Sequence, residues 1–240
     1  MKYFVSSDIH GFYDEWKNEL DNKGFDINDP NHKIIICGDL FDRGRQPKQI
    51  IDFILSNKNK FILIRGNHED LMNNMIKKNK NTIADLSNGT AYTIVDLYPE
   101  WQISEFDLTK IAKETGLQEV LDLCVDYYET PKHIFVHGWI PIIENCYLYD
   151  NEWRNARTER WKKARWSNPV EMYRYKIFEP NKTIVCGHWH CSALWHEINP
   201  ELYPEFGKNA KYDPFITKEI IALDARTAYS KKVNVVVIEE

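Results

Sequence analysis

Residues 33–44 read KIIICGDLFDRG. The apolar run Lys33–Cys37 is β-branched and too short for a helix, so it reads as a strand buried on both faces. It breaks at once into Gly38-Asp39-Leu40-Phe41-Asp42-Arg43-Gly44, a polar cluster between glycines. The same grammar recurs on either side. Strands are expected at Tyr3–Ser6, Phe61–Ile64, His133–Val136 and Thr183–Cys186. Helices are expected at Phe12–Lys23, at Pro47–Ser56 with proline at its tolerant first position, and at about Glu69–Lys78. Such alternation is the pattern of βαβ units. A helical stretch over Thr82–Tyr128, broken at Asn88-Gly89, Pro99 and Gly116, reads as an insertion or cap at about 82–128. Glu219–Leu223 and Lys232–Ile238 read as closing antiparallel strands. The expectation is one α/β domain over residues 1–240, a sandwich flanked by helices.

Five of these strands run directly into polar clusters: Asp8-Ile9-His10-Gly11, the Gly38–Gly44 cluster, Arg65-Gly66-Asn67-His68-Glu69, His137-Gly138 and Gly187-His188-Trp189-His190. Ligands of open α/β sheets gather outside the carboxyl ends of strands, so the five clusters are expected to converge. Asp8 and His10, two residues apart in an extended segment, should point to one side. Carboxylate, imidazole and amide oxygen together suit Mn²⁺, Fe²⁺ or Zn²⁺. Asp8, His10, Asp39, Asn67, His137, His188 and His190 are too many ligands for one ion. Two divalent ions with Asp39 as a bridging carboxylate would use them all, in the arrangement that clamps an in-line displacement at phosphorus.

Composition sets the bounds. The net charge of −5 argues against coating nucleic acid by bulk charge. Five Cys without CxxC spacing predict a reducing compartment, the cytoplasm, and no disulfide framework. No apolar run approaches membrane-spanning length, and the opening MKYFVSSDIHG lacks a leader pattern, so neither a membrane nor secretion is expected.

DIHG, GDLFDRG, RGNHE, HG and GHWH, in that order, resemble the calcineurin-like metallophosphoesterase superfamily, over residues 8 to about 238. GDLFDRG with RGNHE most resembles its bacterial and phage-type phosphoprotein (Ser/Thr) phosphatase branch. LSNGTAYTI and the closing ALDARTAYSKKVNVVVIE resemble further segments of the bacterial members. The resemblance implies a metallophosphoesterase β-sandwich with a dinuclear site at the strand ends. It implies Asp8 and His10 on the first metal, Asp39 bridging, and Asn67, His137 and His188 on the second. His68 is then the general acid, oriented by Asp42, and Arg43 grips phosphate oxygens. The nucleophile is a metal-bridging hydroxide, and no covalent phosphoenzyme forms. The implied activity is hydrolysis of phosphomonoesters on a phosphoprotein or small metabolite, with Mn²⁺ the first-named ion and Fe or Zn as alternatives. A diadenosine tetraphosphate hydrolase, or another nucleotide or RNA-end phosphoesterase, is the alternative enzyme. A non-catalytic binding module is the alternative of a different class.

Two departures from the family pattern stand out. GHWH has a second histidine; His190 matches the broader GHxH motif and is expected on the first metal, the alternative being a supporting or surface histidine. The second phosphate-gripping arginine has no match at the usual spacing, and Arg165, beside Trp166, is the candidate. The terminal DARTAYSKK also lacks the customary glycines. Glu69 reads as a helix-start or supporting carboxylate, and Cys37 and Cys186 as buried apolar groups. Residues Trp153–Lys176 hold eight Lys/Arg against two Glu, +6 in 24 residues, leaving −11 for the rest. With its interleaved Trp and Tyr, this segment is either a lip that binds anions and stacks a base, or a solvated helix anchored by tryptophan.

Overall fold

The computed structural model describes residues 1–98, 107–143 and 146–240. The first half alternates β1 (Lys2–Ser6), α1 (Tyr13–Asn22), β2 (His32–Cys37), α2 (Pro47–Ser56), β3 (Phe61–Ile64) and α3 (Asn67–Lys78). Then follow α4 (Ile83–Asn88), α5 (Thr90–Leu97), α6 (Leu108–Glu114) and α7 (Leu117–Leu123). The second half has β4 (Tyr128–Glu129), β5 (His133–Phe135), α8 (Thr158–Ala164), α9 (Pro169–Arg174), β6 (Thr183–Cys186) and α10 (Cys191–Ile198). It closes with β7 (Phe215–Ile216), β8 (Ile220–Ala222), α11 (Thr227–Ser230) and β9 (Val236–Glu239).

Two sheets result, with strand orders β3-β2-β1-β9 and β4-β5-β6-β8-β7. Period-two alternation sorts their side chains into layers. Tyr3, Val5, Ile35, Cys37 and Ile64 of one sheet meet Phe135, Val185 and Ile221 of the other in a shared apolar layer. Phe4, Ile34, Ile36 and Leu63 point the opposite way, into a core built with α1–α3 and with residues of α5, α6 and α7. On the far side, Ile134, Ile184 and Ile220 pack with Trp161, Met172 and Leu194. The chain is thus layered helix, sheet, sheet, helix, and the isoleucines of residues 33–37 are buried on both faces as expected.

The structure amends the expectations at two places. The helical stretch ends at Leu123; Val125 already bridges Ile64, and Tyr128 lies in β4, antiparallel to β5. Gly89 (φ 90°) and Gly116 (φ 80°) do break the helices, whereas the break expected at Pro99 lies outside the described residues. The two closing strands do not pair with each other. β8 runs parallel to β6 and antiparallel to the two-residue β7, while β9 joins the other sheet antiparallel to β1. Their similar apolar patterns carry no information about which partner each takes.

Candidate metal centre

β1, β2 and β3 are mutually parallel, as are β5 and β6, so their carboxyl ends deliver all five polar clusters to one region. The loops there are tightly wound. Asp8, His10, Asp39, Asp42, Arg43 and His188 all have φ between 47° and 74°. The left-handed region is costly for residues with a Cβ, and such outliers concentrate at functional sites. Asp8 and His10 therefore turn toward the centre through left-handed backbone and not, as alternation suggested, from an extended strand. Glycines make room for the carboxylates. A Cβ on Gly66 would stand 2.2 Å from Asp39 Oδ1, and one on Gly187 would stand 2.1 Å from Asp8 Oδ2.

Asp39 is the hub. Its Oδ1 lies 3.3 Å from His137 Nε2, and its Oδ2 lies 3.7 Å from His10 Nε2 and 3.8 Å from His68 Nε2. Two groups able to hold an ion share it: His10, Asp39 and His68 on one side, Asp39, His137 and His188 on the other. Asn67 Oδ1 faces the second group, 2.7 Å from His137 Nε2 and 3.1 Å from His188 Nδ1. Asp8 Oδ1 lies 4.0 Å from His10 Nε2, beside the first, and its carboxylate accepts the His188 N–H.

The tautomers follow from the partners. His10 Nδ1 is 3.0 Å from the Phe41 carbonyl and His137 Nδ1 is 2.8 Å from that of Cys37. A carbonyl only accepts, so each Nδ1 carries the hydrogen and each Nε2 offers its lone pair to the centre. Burial pushes the pKa of His10 and His137 down and that of His188 to about 3, keeping these rings neutral. Asp39 is pulled the other way: the four surrounding imidazoles outweigh its burial and hold its pKa low. Lone pairs of imidazole, carboxylate and amide oxygen thus converge with hardly a donor among them. That set fits a divalent cation of the Mn²⁺, Fe²⁺ or Zn²⁺ kind.

His68 differs from the other rings. Its Nδ1 lies 2.6 Å from Asp42 Oδ2, and the charges of Asp39 and Asp42 outweigh burial to raise its pKa. Asp42 is itself fixed by α5: Thr90 Oγ1 donates at 2.8 Å and Thr93 Oγ1 at 2.7 Å, while the Asp42 N–H donates to Thr93 at 3.0 Å. Arg43 directs its guanidinium at the centre, 3.0 Å from His10 Nε2 and 3.3 Å from His68 Nε2. Glu69 supports the region from behind, accepting backbone N–H bonds from Asp39, Leu40 and Gly66 at 2.7–2.9 Å. Burial and the Asp39 charge nonetheless push its pKa up to about 7.

Two expected residues are not brought in. His190, like Asp8, is in neither group, and unlike Asp8 it has no described contact with a member of one; its Nε2 pairs with Glu205 at 3.2 Å and its ring stacks on Trp189. Arg165 is 2% exposed, and its two terminal nitrogens are paired with Asp70 and Asp126, so it presents no fork to phosphate. The basic segment is similarly neutralised, with Arg154 on Glu129 and Glu179, Arg160 on Asp150 and Arg174 on Glu197. Its tryptophans divide: Trp153 and Trp161 are buried anchors, whereas Trp166 is exposed beside His188. Sequence reasoning missed Asp224, a buried carboxylate at the end of β8 whose charge acts on both Asp8 and His190. Its signal was available, since LDAR follows a strand as the other five clusters do. Thr90 and Thr93 were missed as well, although their spacing of three on a helix puts both on one face.

The family model for calcineurin-like phosphoesterases matches residues 1–192. The chain belongs to that family. Among curated members, a symmetrical bis(5'-nucleosyl)-tetraphosphatase of Buchnera aphidicola is 36% identical over 67 residues, 28% of this chain and 23% of that protein. The asymmetrical bis(5'-nucleosyl)-tetraphosphatase PrpE of Bacillus velezensis is 29% identical over 107 residues, 41% of this chain and 43% of the relative. These matches span less than half of either relative. Among solved structures, the cold-active protein-tyrosine phosphatase of a Shewanella species superposes with a TM-score of 0.53 at 15% identity, covering 100% of this chain and 75% of that one. At that identity the likeness speaks for the fold alone, two sheets flanked by helices.

Proposed function

We propose that this calcineurin-like phosphoesterase is a hydrolase that uses two divalent ions, first among them Mn²⁺, to cleave phosphoesters by direct attack of water on phosphorus. The observation that carries this reading is the pair of ligand groups sharing Asp39, with a carboxylate-held imidazole alongside. Asp8, His10 and Asp39 hold one ion, and Asp39, Asn67, His137 and His188 the other. When bound, the ions supply Lewis-acid charge and lower the pKa of coordinated water. Arg43, donor on every nitrogen, binds the phosphate oxygens and replaces its present contacts to His10 and His68 with them. His68 carries a proton on Nε2 once Arg43 engages the phosphate, and delivers it to the leaving oxygen while Asp42 stabilises the imidazolium. The whole chain acts as one domain, since α5–α7 share a core with α1–α3.

Phosphomonoesters are the simplest substrates for this centre. A dinucleoside tetraphosphate is the second reading, favoured by the relatives' names and by the exposed Trp166 next to His188. The work belongs in a reducing compartment, as five free cysteines suit. No helix among the described residues is long and apolar enough to cross a membrane. Purified protein supplied with Mn²⁺ is expected to hydrolyse p-nitrophenyl phosphate and to retain close to two ions per chain by elemental analysis. Absence of both turnover and metal sinks the proposal.

A further inference from the structure

A cleft of about 480 Å³ opens beside the metal centre, lined by residues of α8 and α9 and by Pro141, Ile142 and Tyr147. That volume lies in the range of small-molecule sites, roughly 300–1,000 Å³. None of the chemistry described so far uses it. Trp166 forms its wall nearest the metal ligands. The indole is 54% exposed, while Trp153 and Trp161 of the same basic segment are 0% and 3% exposed. Its position is fixed from the metal side. The ring meets His188 edge to face with centroids 5.8 Å apart. A large aromatic face is therefore held in water next to a candidate ligand.

The other walls specify the occupant. Tyr147, 42% exposed, is steadied by Tyr175 at a centroid distance of 4.9 Å. Ile142, Ala164 and Met172 supply an apolar lining. Arg160 borders the cleft, its Nη2 pairing with Asp150 at 2.6 Å and donating to the Ile142 carbonyl. Glu171 lines the cleft and its charge bears on Arg174, while Lys163, on the same lining, is engaged in an interaction of its own. A carboxylate there repels phosphate and accepts N–H groups. With an exposed indole on one wall and a carboxylate on another, the cleft suits a flat ring with N–H donors on its edge, adjoining a centre proposed to take phosphate.

We propose that this cleft seats a nucleobase of a nucleotide substrate, stacked on Trp166 with its N–H edge toward Glu171. This deepens the proposed function and rests on it for the identity of the reacting phosphate. Base-on-tryptophan stacking tolerates any base and is strong enough to be read in a single substitution.

The test compares KM for diadenosine tetraphosphate with KM for glycerol phosphate in the full chain with Mn²⁺. Trp166→Ala is expected to raise the ratio of the two roughly tenfold or more, and Trp166→Phe to recover most of the loss. An unchanged ratio in Trp166→Ala overturns the nucleobase seat while leaving the phosphoesterase reading intact. Calorimetric titration with adenosine 5′-monophosphate reads the cleft without turnover. Binding weakened about tenfold by Trp166→Ala supports the seat even if neither ester is hydrolysed, an outcome that would count against the proposed function alone. Binding that is equal in both proteins, or absent from the wild type, overturns it. A phosphopeptide hydrolysed with a Trp166 dependence as large as the nucleotide's also overturns it.

Discussion

The imidazole of His68 is the group whose protonation state matters most, and its surroundings decide that state. Burial favours the neutral ring, yet Asp39 and the 2.6 Å contact to Asp42 outweigh it and raise the pKa above the ordinary 6.5. A group in the proposed role of acid must hold its proton to act, so turnover is expected to fall as pH rises through that raised value. Asp42→Asn removes part of what raises it, and the falling limb of the pH–rate profile should move to lower pH. A limb that stays in place means that another group is titrating. His68→Ala is expected to lower kcat by roughly 10²–10⁴ while metal content is retained. Loss of both would make His68 a ligand, as its nearness to His10 and Asp39 allows.

At the scale of elements, the loops rely on helices that begin immediately behind them. Glu69, in the first turn of α3, gathers three N–H groups from two different loops. Glu69→Ala strands those buried donors, each worth roughly 1–3 kcal/mol, and should lower Tm measurably even in chelator. An unchanged Tm would show that water replaces the carboxylate. Gly187→Ala drives a Cβ into Asp8 and should cost metal affinity with secondary structure retained; full metal content in that variant would refute the cradle. The element layout was legible in advance because buried strands and polar strand ends differ so sharply in composition. Asp8, Asp39, Asn67, His137 and His188 could be picked from sequence for that reason. His190 and Arg165 could not be placed, because no motif marks their partners: Glu205, 15 residues beyond His190, and Asp70 and Asp126, 95 and 39 residues before Arg165. The partnering of β8 and β9 was hidden for a similar reason, since register depends on neighbours that the strand itself does not encode.

Across the whole molecule, acidic and basic regions that look lopsided in sequence neutralise each other in space. Glu129 is the clearest case. Hydrogen bonds from Arg154 foremost, and from Lys182, depress its pKa from 4.5 to about 2. A depressed carboxylate contributes stability that is complete above its unfolded pKa and is lost as pH falls through the folded one. Glu129→Gln should therefore be less stable than wild type in urea at pH 7, with the gap closing between about pH 4.5 and 2. A gap independent of pH would assign the effect to packing.

The pairing of β1 with β9 has a consequence for how the centre comes into being. Lys2 lies opposite Glu239, and Thr227 Oγ1 donates to the Asp8 carbonyl. Asp8 and Thr227 are 219 residues apart in sequence, so a fragment that stops short of Thr227 lacks this partner. Contacts of such sequence separation form slowly, and the intermediate leaves apolar strand edges bare in the meantime. Metal capture is accordingly expected to need the later segments, and fragments that display DIHG, GDLFDRG and RGNHE but stop before β5 should remain unable to hold an ion.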